Sequence, residues 1–343
     1  MISIWGTFQG TSGYAKHTSN LASEVAKLTD VRLHSTNGLP VNLSQLSSND
    51  ISDNLVAISI PPYWDVFSGS RTNFNGFLVF EGDKLPDYWA DIINKDYVKR
   101  ILVPSTHVET LAKQATTKEI RVVPHGYNPG VFYPKPISHD IFTYGFVGGW
   151  SQGKTDRKGF DILLETFCDT FTNNDNVCLR AKLNMAYQDE RKVMSELSEL
   201  NLPEPDKRPK VDLILGNYTD SEMANFYNSC DVMVFPSRGE AFNIPALEAM
   251  ACKVPVITTN WGGHLDFCKN DNSYLIDCKL KEYVGVDYFY EGIRLAEPSR
   301  QDLKKALQIA LDNKELLKSK QESINIEDFT WQSSASKLVR LFP

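Results

Sequence analysis

A chain of 343 residues, 42% of them hydrophobic, exceeds the size at which one core usually stops growing, so two domains are expected. Its net charge of −7 divides into 12 Lys+Arg against 12 Asp+Glu over residues 1–138 and 24 against 31 over the remainder; neither part has the basic excess of a nucleic-acid binder or an electrostatic membrane anchor. Six cysteines without a C-x-x-C pair, no basic-then-apolar leader and no apolar run long enough to cross a bilayer argue against a disulfide framework, a zinc site or a membrane span, and point to reduced thiols in a cytoplasmic protein.

In chain order, short apolar runs alternate with helical spacing, as in a sheet built from βα units. Strands are predicted over residues 2–5, 31–34, 55–60, 77–80, 101–103 and 120–123, with a helix over 14–28 that has Leu21, Val25 and Leu28 in helical spacing. Gly10 and Gly13 lie in the glycine-rich turn after the first strand. They could bring backbone close to a phosphate, but the loop is not G-x-G-x-x-G and no acidic ribose ligand follows at the expected distance, so a tight turn explains them equally well. Glu81 directly follows the strand at 77–80, where a lone acid is a helix cap, a solvated residue or a catalytic group. His125, in Pro124-His-Gly-Tyr-Asn128, either faces a cleft or hydrogen-bonds the backbone. Residues 132–139, with two prolines and little periodicity, read as a linker.

The second half repeats the pattern, with strands over 141–147, 177–183, 211–215, 231–235, 254–258 and 273–277, and helices over 160–171, 220–227, 301–317 and 331–341. Ser151-Gln-Gly-Lys-Thr-Asp-Arg-Lys-Gly159 carries three cations into a helix start, which suits a diphosphate and the helix dipole together, or is a solvated basic loop. It is not a Walker motif, because Gly149 and Gly153 are too closely spaced. Pro236-Ser-Arg-Gly-Glu-Ala-Phe-Asn-Ile-Pro-Ala-Leu-Glu248 reads as a strand end, an exposed polar loop and the first turn of a helix with Pro245 inside it. Ligands of open α/β sheets bind outside the carboxyl ends of strands, where unpaired helix N–H groups favour anions. The stretch is therefore a plausible seat for a sugar joined to phosphate; its bland alternative is a solvated loop with two surface glutamates.

Phe235-Pro-Ser-Arg-Gly-Glu240 through Glu248-Ala-Met-Ala-Cys-Lys-Val-Pro-Val-Ile257, the Gly262-Gly263 loop, Val103-Pro-Ser105, Val123-Pro-His-Gly126, Arg157-Lys-Gly159 and Phe329-Thr-Trp331 stand in an order and spacing that resemble a retaining GT-B glycosyltransferase of the large E-x7-E family, the family 4 type. The segment Phe80-Glu-Gly-Asp-Lys-Leu-Pro-Asp-Tyr-Trp89 resembles a subgroup with Glu in this loop. The resemblance implies an α/β fold of two Rossmann-like domains with parallel sheets facing across a cleft. It places an acceptor domain at residues 1–135, a nucleotide-sugar donor domain at 136–324, and a C-terminal helix at 325–343 packing back toward the first domain. The catalytic residues it implies are Glu240, Lys158 and Glu81. Substrate binding is implied for Gly13, His125, Arg157, Ala241, Phe242, Asn243, Ile244, Glu248 and Gly263: Glu240 and the backbone of 241–244 for the sugar hydroxyls, Glu248 for ribose, Lys158 and Gly13 for the diphosphate.

The family usually needs no metal, and no cofactor is expected beyond the donor substrate, a nucleoside-diphosphate sugar. The expected acceptor is a hydroxyl of a glycan, a lipid-linked or another molecule. Two positions depart from the family. Gly149 stands where many members have Arg, leaving Lys154, Arg157 or Lys182 to supply that charge, and Glu81 stands where many have His. The implied reaction moves a hexose with retention at C1 by a front-face route, Glu240 positioning the sugar rather than attacking it. The competing readings are a nucleotide-sugar isomerase or epimerase on the same fold and a sugar-binding partner without chemistry.

Overall fold

The structure, a computed structural model, describes residues 1–10, 12–36, 53–68, 73–135, 137, 140–150, 156–184, 190–285 and 288–342. The chain divides into two compact units, Met1–Gly126 with Glu327–Pro343, and Tyr127–Ile326.

In the first unit six strands, β1 (Ile2–Gly6), β2 (Val31–Ser35), β3 (Asn54–Ile58), β4 (Asn73–Phe77), β5 (Val98–Val103) and β6 (Glu119–Val122), form a parallel sheet in the order β2-β1-β3-β4-β5-β6. The order reverses direction between β1 and β3. Helix α1 (Gly13–Val25) starts at Ser12, whose hydroxyl accepts from the Ala15 N–H, and buries Ala15, Leu21 and Val25, while Leu28, the third residue of the predicted spacing, lies beyond the helix end and is exposed. Two further helices of this unit, α2 (Asp87–Ile93) and α3 (Thr106–Ala115), have no counterpart among the predicted elements.

The strand expected at 77–80 is displaced to Asn73–Phe77. Its polar half looks unlike a strand but is internally satisfied: the buried Asn75 amide donates to the carbonyls of Leu55 (3.2 Å) and Asn73 (2.7 Å). Gly76 leaves room for the Trp64 ring, which a Cβ there would approach to 2.3 Å. Glu81 accordingly lies beyond the strand rather than at its end.

In the second unit β7 (Phe142–Gly149), β8 (Val177–Asn184), β9 (Lys210–Leu215), β10 (Val232–Phe235), β11 (Val256–Thr259) and β12 (Ser273–Ile276) form a parallel sheet in the order β12-β11-β10-β7-β8-β9. Here the reversal falls between β7 and β10. Helices α4 (Phe160–Thr170), α5 (Glu190–Ser198), α6 (Asp220–Asn228), α7 (Ile244–Ala251), α8 (Arg300–Asp312) and α9 (Lys314–Glu322) accompany it. The core between sheet and helices is lined by Tyr144, Phe146, Phe160, Phe167, Val234 and Leu307. The single helix predicted over 301–317 is two, because Asn313 leaves helical geometry (φ −112, ψ 78) and its side chain caps α9 by accepting from Leu316 N at 2.9 Å.

An antiparallel hairpin, β13 (Cys278–Glu282) and β14 (Arg294–Pro298), stands between β12 and α8 and was not anticipated by periodicity. All six cysteines are free thiols, five of them buried. Among the described residues no helix is long and apolar enough to cross a membrane.

The chain ends in α10 (Trp331–Val339), which belongs to the first unit and packs on α1. The Ser334 hydroxyl donates to Pro124 O at 2.5 Å, and a Cβ on Gly126 would meet Trp331 N at 2.2 Å, so this contact is made backbone to backbone.

Candidate functional site

The strand order of the second unit opens a crevice at the carboxyl ends of β7 and β10, the place where open α/β sheets bind ligands. Two loops meet there, residues 156–159 leading into α4 and residues 236–243 leading into α7. The second was expected to be exposed; instead every residue from Pro236 to Asn243 is buried, because the 156–159 loop, the glycine loop after β11 and the β13–β14 hairpin all hydrogen-bond to it.

Glu240, only 4% exposed, is the centre of this arrangement. Its carboxylate accepts from Lys158 Nζ at 2.8 and 3.0 Å, from the Ser237 hydroxyl at 2.9 Å and, at 3.5 Å, from Arg157 Nη1. Burial by itself pushes the Glu240 carboxyl up, but Lys158 and then Arg157 outweigh it and hold the group below its ordinary value. The site therefore keeps a buried carboxylate ionised. The Arg157 guanidinium also donates to Gly239 O at 2.5 Å. Gly159, which ends this loop, is left-handed (φ +72), and a Cβ there would lie 2.1 Å from Pro236 O. Only glycine allows that approach.

Past Glu240 the chain turns into α7. Asn243 is left-handed (φ 70, ψ 69) and its side chain caps the helix by accepting from Ala246 N at 3.3 Å. Ala241, Phe242 and Ile244 are buried, Phe242 with its ring 5.2 Å from that of Phe267. Glu248, one helical turn further, is also buried and accepts from the Tyr227 hydroxyl at 3.0 Å. Gly263 N donates to Glu240 O at 2.7 Å, bringing the glycine loop against the same residue. Behind it His264 Nε2 donates to Thr259 O at 2.7 Å, while the Thr259 hydroxyl donates to Ser237 O at 2.8 Å. Burial keeps the His264 ring neutral by lowering its pKa, although Thr259 and Glu240 act in the opposite sense.

Of the twelve site residues named from the sequence, nine lie in this unit, and Arg157, Lys158, Glu240 and Gly263 are in direct contact. The other three belong to the first unit. Gly13 is the exposed first residue of α1 and Glu81 is half-buried. His125 is buried against His17, Trp331 and Phe77, with ring centroids 4.2, 5.9 and 6.1 Å away. Burial lowers its pKa to about 3.

Of the three cations considered in place of an arginine at position 149, Lys154 lies outside the described residues and Arg157 is engaged by the 236–243 loop. Lys182 is buried on β8 beside Val147, with Nζ 5.9 Å from the Tyr218 ring centroid. Ser237, Arg238, Asp161, Thr259 and His264 complete the site and were not singled out from the sequence. Arg238 lies inside the Pro236–Glu248 stretch, but an arginine in a loop carries no sign of burial until its partners are in place.

Residues 142–284 match the family described as Glycosyl transferases group 1. Relatives include an uncharacterised glycosyltransferase of Methanocaldococcus jannaschii, 27% identical over 70% of this chain and 57% of that protein. The capsular polysaccharide biosynthesis glycosyltransferase CapM of Staphylococcus aureus is 31% identical over 59% of this chain and 52% of its own length. The chain thus spans little more than half of the length of these relatives. Among solved structures, a glycosyltransferase of Rickettsia africae superposes over 99% of this chain and 97% of its own, with a TM-score of 0.73 at 15% identity. Anabaena HepE in complex with UDP-glucose superposes over 99% and 98%, also at 0.73, with 14% identity. The chain therefore has the GT-B fold, and its residues 142–284 are similar to the group 1 glycosyltransferases.

Proposed function

We propose that the protein is a retaining, metal-independent glycosyltransferase that moves a hexose from a nucleoside-diphosphate sugar to a hydroxyl of a glycan, a lipid-linked or another acceptor. The observation that carries this reading is the buried Glu240 carboxylate held by Lys158 and Arg157 at the crevice between β7 and β10. Such a site offers cations for a departing diphosphate and a fixed anion for sugar hydroxyls in one place.

Breaking the bond from sugar C1 to phosphate leaves negative charge on the nucleoside diphosphate, and cations already in position stabilise it as it develops. Lys158 fills that role. Glu240 is a positioner in this scheme: Lys158, Ser237 and Arg157 fix its carboxylate and its depressed pKa makes it a poor proton carrier. The acceptor's proton then goes to the leaving phosphate, on the same face as the new bond, which retains the configuration at C1. Glu248, fixed by Tyr227, is assigned to ribose. The complex of HepE with UDP-glucose supports a uridine donor as the first to try, and the six free thiols fit a reducing, cytoplasmic compartment.

The test is a thermal-stabilisation screen over UDP, GDP and their hexose derivatives, since a ligand of the folded state raises apparent stability. NMR of the product made from the stabilising donor follows. Retention is expected; an inverted product, or conversion of the donor into another free nucleotide sugar, overturns the proposal.

A further inference from the structure

One buried residue of this region, Arg238, has no part in the proposed chemistry. Its guanidinium makes four hydrogen bonds. Nη1 donates to Asp161 Oδ1 at 2.9 Å and to Asp156 O at 2.5 Å, Nη2 to Asp161 Oδ2 at 2.7 Å, and Nε to Glu297 Oε2 at 3.1 Å. Its backbone is engaged on both sides as well: Arg238 N donates to Arg157 O at 2.7 Å, and Arg238 O accepts from Ala296 N at 2.8 Å. Asp161 is in the first turn of α4, Asp156 and Arg157 in the loop that carries Lys158, and Ala296 and Glu297 on β14 of the hairpin. Two residues before Glu240, one side chain and its own peptide groups thus join the 236–243 loop to two segments remote from it in sequence, 156–161 and β14.

We propose that Arg238 is the positioning residue of the Glu240–Lys158 pair, and that through Glu297 it couples the 278–298 hairpin to that pair. The geometry requires arginine. A planar fork engages both oxygens of Asp161 and still turns Nε to Glu297, whereas a lysine ammonium is a single point that cannot span the three directions. With the fork in place the two loops are held side by side, as Arg157 O, Gly239 O and Glu240 each have a partner across the gap. The hairpin is tied in at its base. At its far end Tyr283 and Tyr290 pack against each other with centroids 5.1 Å apart, and Val284 is 77% exposed. A partner or substrate that moves the hairpin would therefore act on Glu240 through Glu297 and Arg238.

The test uses the full chain with two substitutions, Arg238→Lys and Glu297→Ala, and two readouts. The first is amide hydrogen exchange of the ligand-free protein, comparing residues 236–243 with β8. A charge-assisted hydrogen bond to a partly exposed partner is lost in Glu297→Ala, so exchange over 236–243 is expected to speed up roughly tenfold with β8 unchanged, and more in Arg238→Lys. The second is UDP release from UDP-glucose as probe donor, where kcat is expected to fall by roughly the same factor, since the pair is misplaced for more of the time. Exchange over 236–243 like wild type in Glu297→Ala, or rising equally in β8, overturns the proposal, the latter because it marks a residue that merely stabilises the unit. If Arg238→Lys does not fold, the Glu297→Ala comparison decides alone. Only the kinetic readout rests on the glycosyltransferase reading: a wild-type chain that releases no nucleoside diphosphate from any UDP- or GDP-hexose of the screen counts against that reading, while the exchange result still decides the role of Arg238.

Discussion

Replacing Gly159 by alanine separates the two loops of the site directly. The residue is left-handed, a conformation that costs an L-amino acid with a Cβ about 1–2 kcal/mol. Its Cβ would also sit 2.1 Å from Pro236 O and 3.0 Å from Pro236 C. An ordinary carbon–oxygen contact is about 3.3 Å or more, so something over ~1 Å must be recovered from backbone on both sides, and forced packing of this kind typically costs about 1–3 kcal/mol. The expected loss is therefore about 2–5 kcal/mol. A shift of that size also takes Lys158 Nζ out of hydrogen-bond range of Glu240, now 2.8 Å away.

Native-state hydrogen exchange of the β7 and β8 amides reports the second unit by itself and measures the loss. Gly149→Ala is the control. Among the described residues nothing lies within 4 Å of a Cβ at Gly149, so its stability should stay within about 0.5 kcal/mol of wild type. Equal stability of the two variants would refute the claim that the Gly159–Pro236 contact sets the distance between the loops.

Other outcomes follow from the same contacts. Gly126→Ala places a Cβ 2.2 Å from Trp331 N and 2.4 Å from Thr330 C, so residues 327–342 should detach from α1 and be cleaved first in limited proteolysis, with intact α10 the refuting result. Burial lowers the pKa of His125 to about 3, and burial followed by His125 lowers that of His17. Both rings take up protons more readily once unfolded, so their contribution to the first unit is whole above about pH 6.5 and is lost as pH falls below it, for His125 down to about 3, by up to about 1.4 kcal/mol per pH unit for each histidine. Unfolding followed through β1 amides between pH 6.5 and 5 should show that slope, and His17→Leu should remove about half of it. Lys158→Ala should cut sugar transfer by about two to three orders of magnitude while leaving the β8 amides protected; a variant as fast as wild type would remove the electrostatic argument for the site.

Chain-order periodicity located most strands of both parallel sheets, because buried strands and amphipathic helices write their environment into neighbouring positions. Ile2 to Gly6, Val177 to Asn184 and Gly13 to Val25 lie within a residue or a few of where alternation and helical spacing put them. It failed at Asn73 to Phe77, where the Asn75 amide is satisfied by Leu55 O and Asn73 O and Gly76 leaves space for Trp64. It failed again at the hairpin, where β13 is exposed from Lys279 to Glu282 and shows no buried alternation to read. In the site, Glu240, Lys158, Arg157 and Gly263 could be named from motif words and are found touching. The burial of the whole 236–243 loop could not be read the same way, since a run of Ser, Arg, Gly and Glu reads as solvated until its partners are known.

By itself the sequence determined the alternation of strands and helices and the residue types available for a phosphate and a sugar. Tertiary structure decided what those residues are to one another. Hydrogen bonds between Arg238 and Asp161, Glu240 and Lys158, or Gly263 and Glu240 span 77, 82 and 23 residues. No local pattern encodes such pairs; they form only because the order β7-β10-β11 brings the carboxyl ends of three strands together.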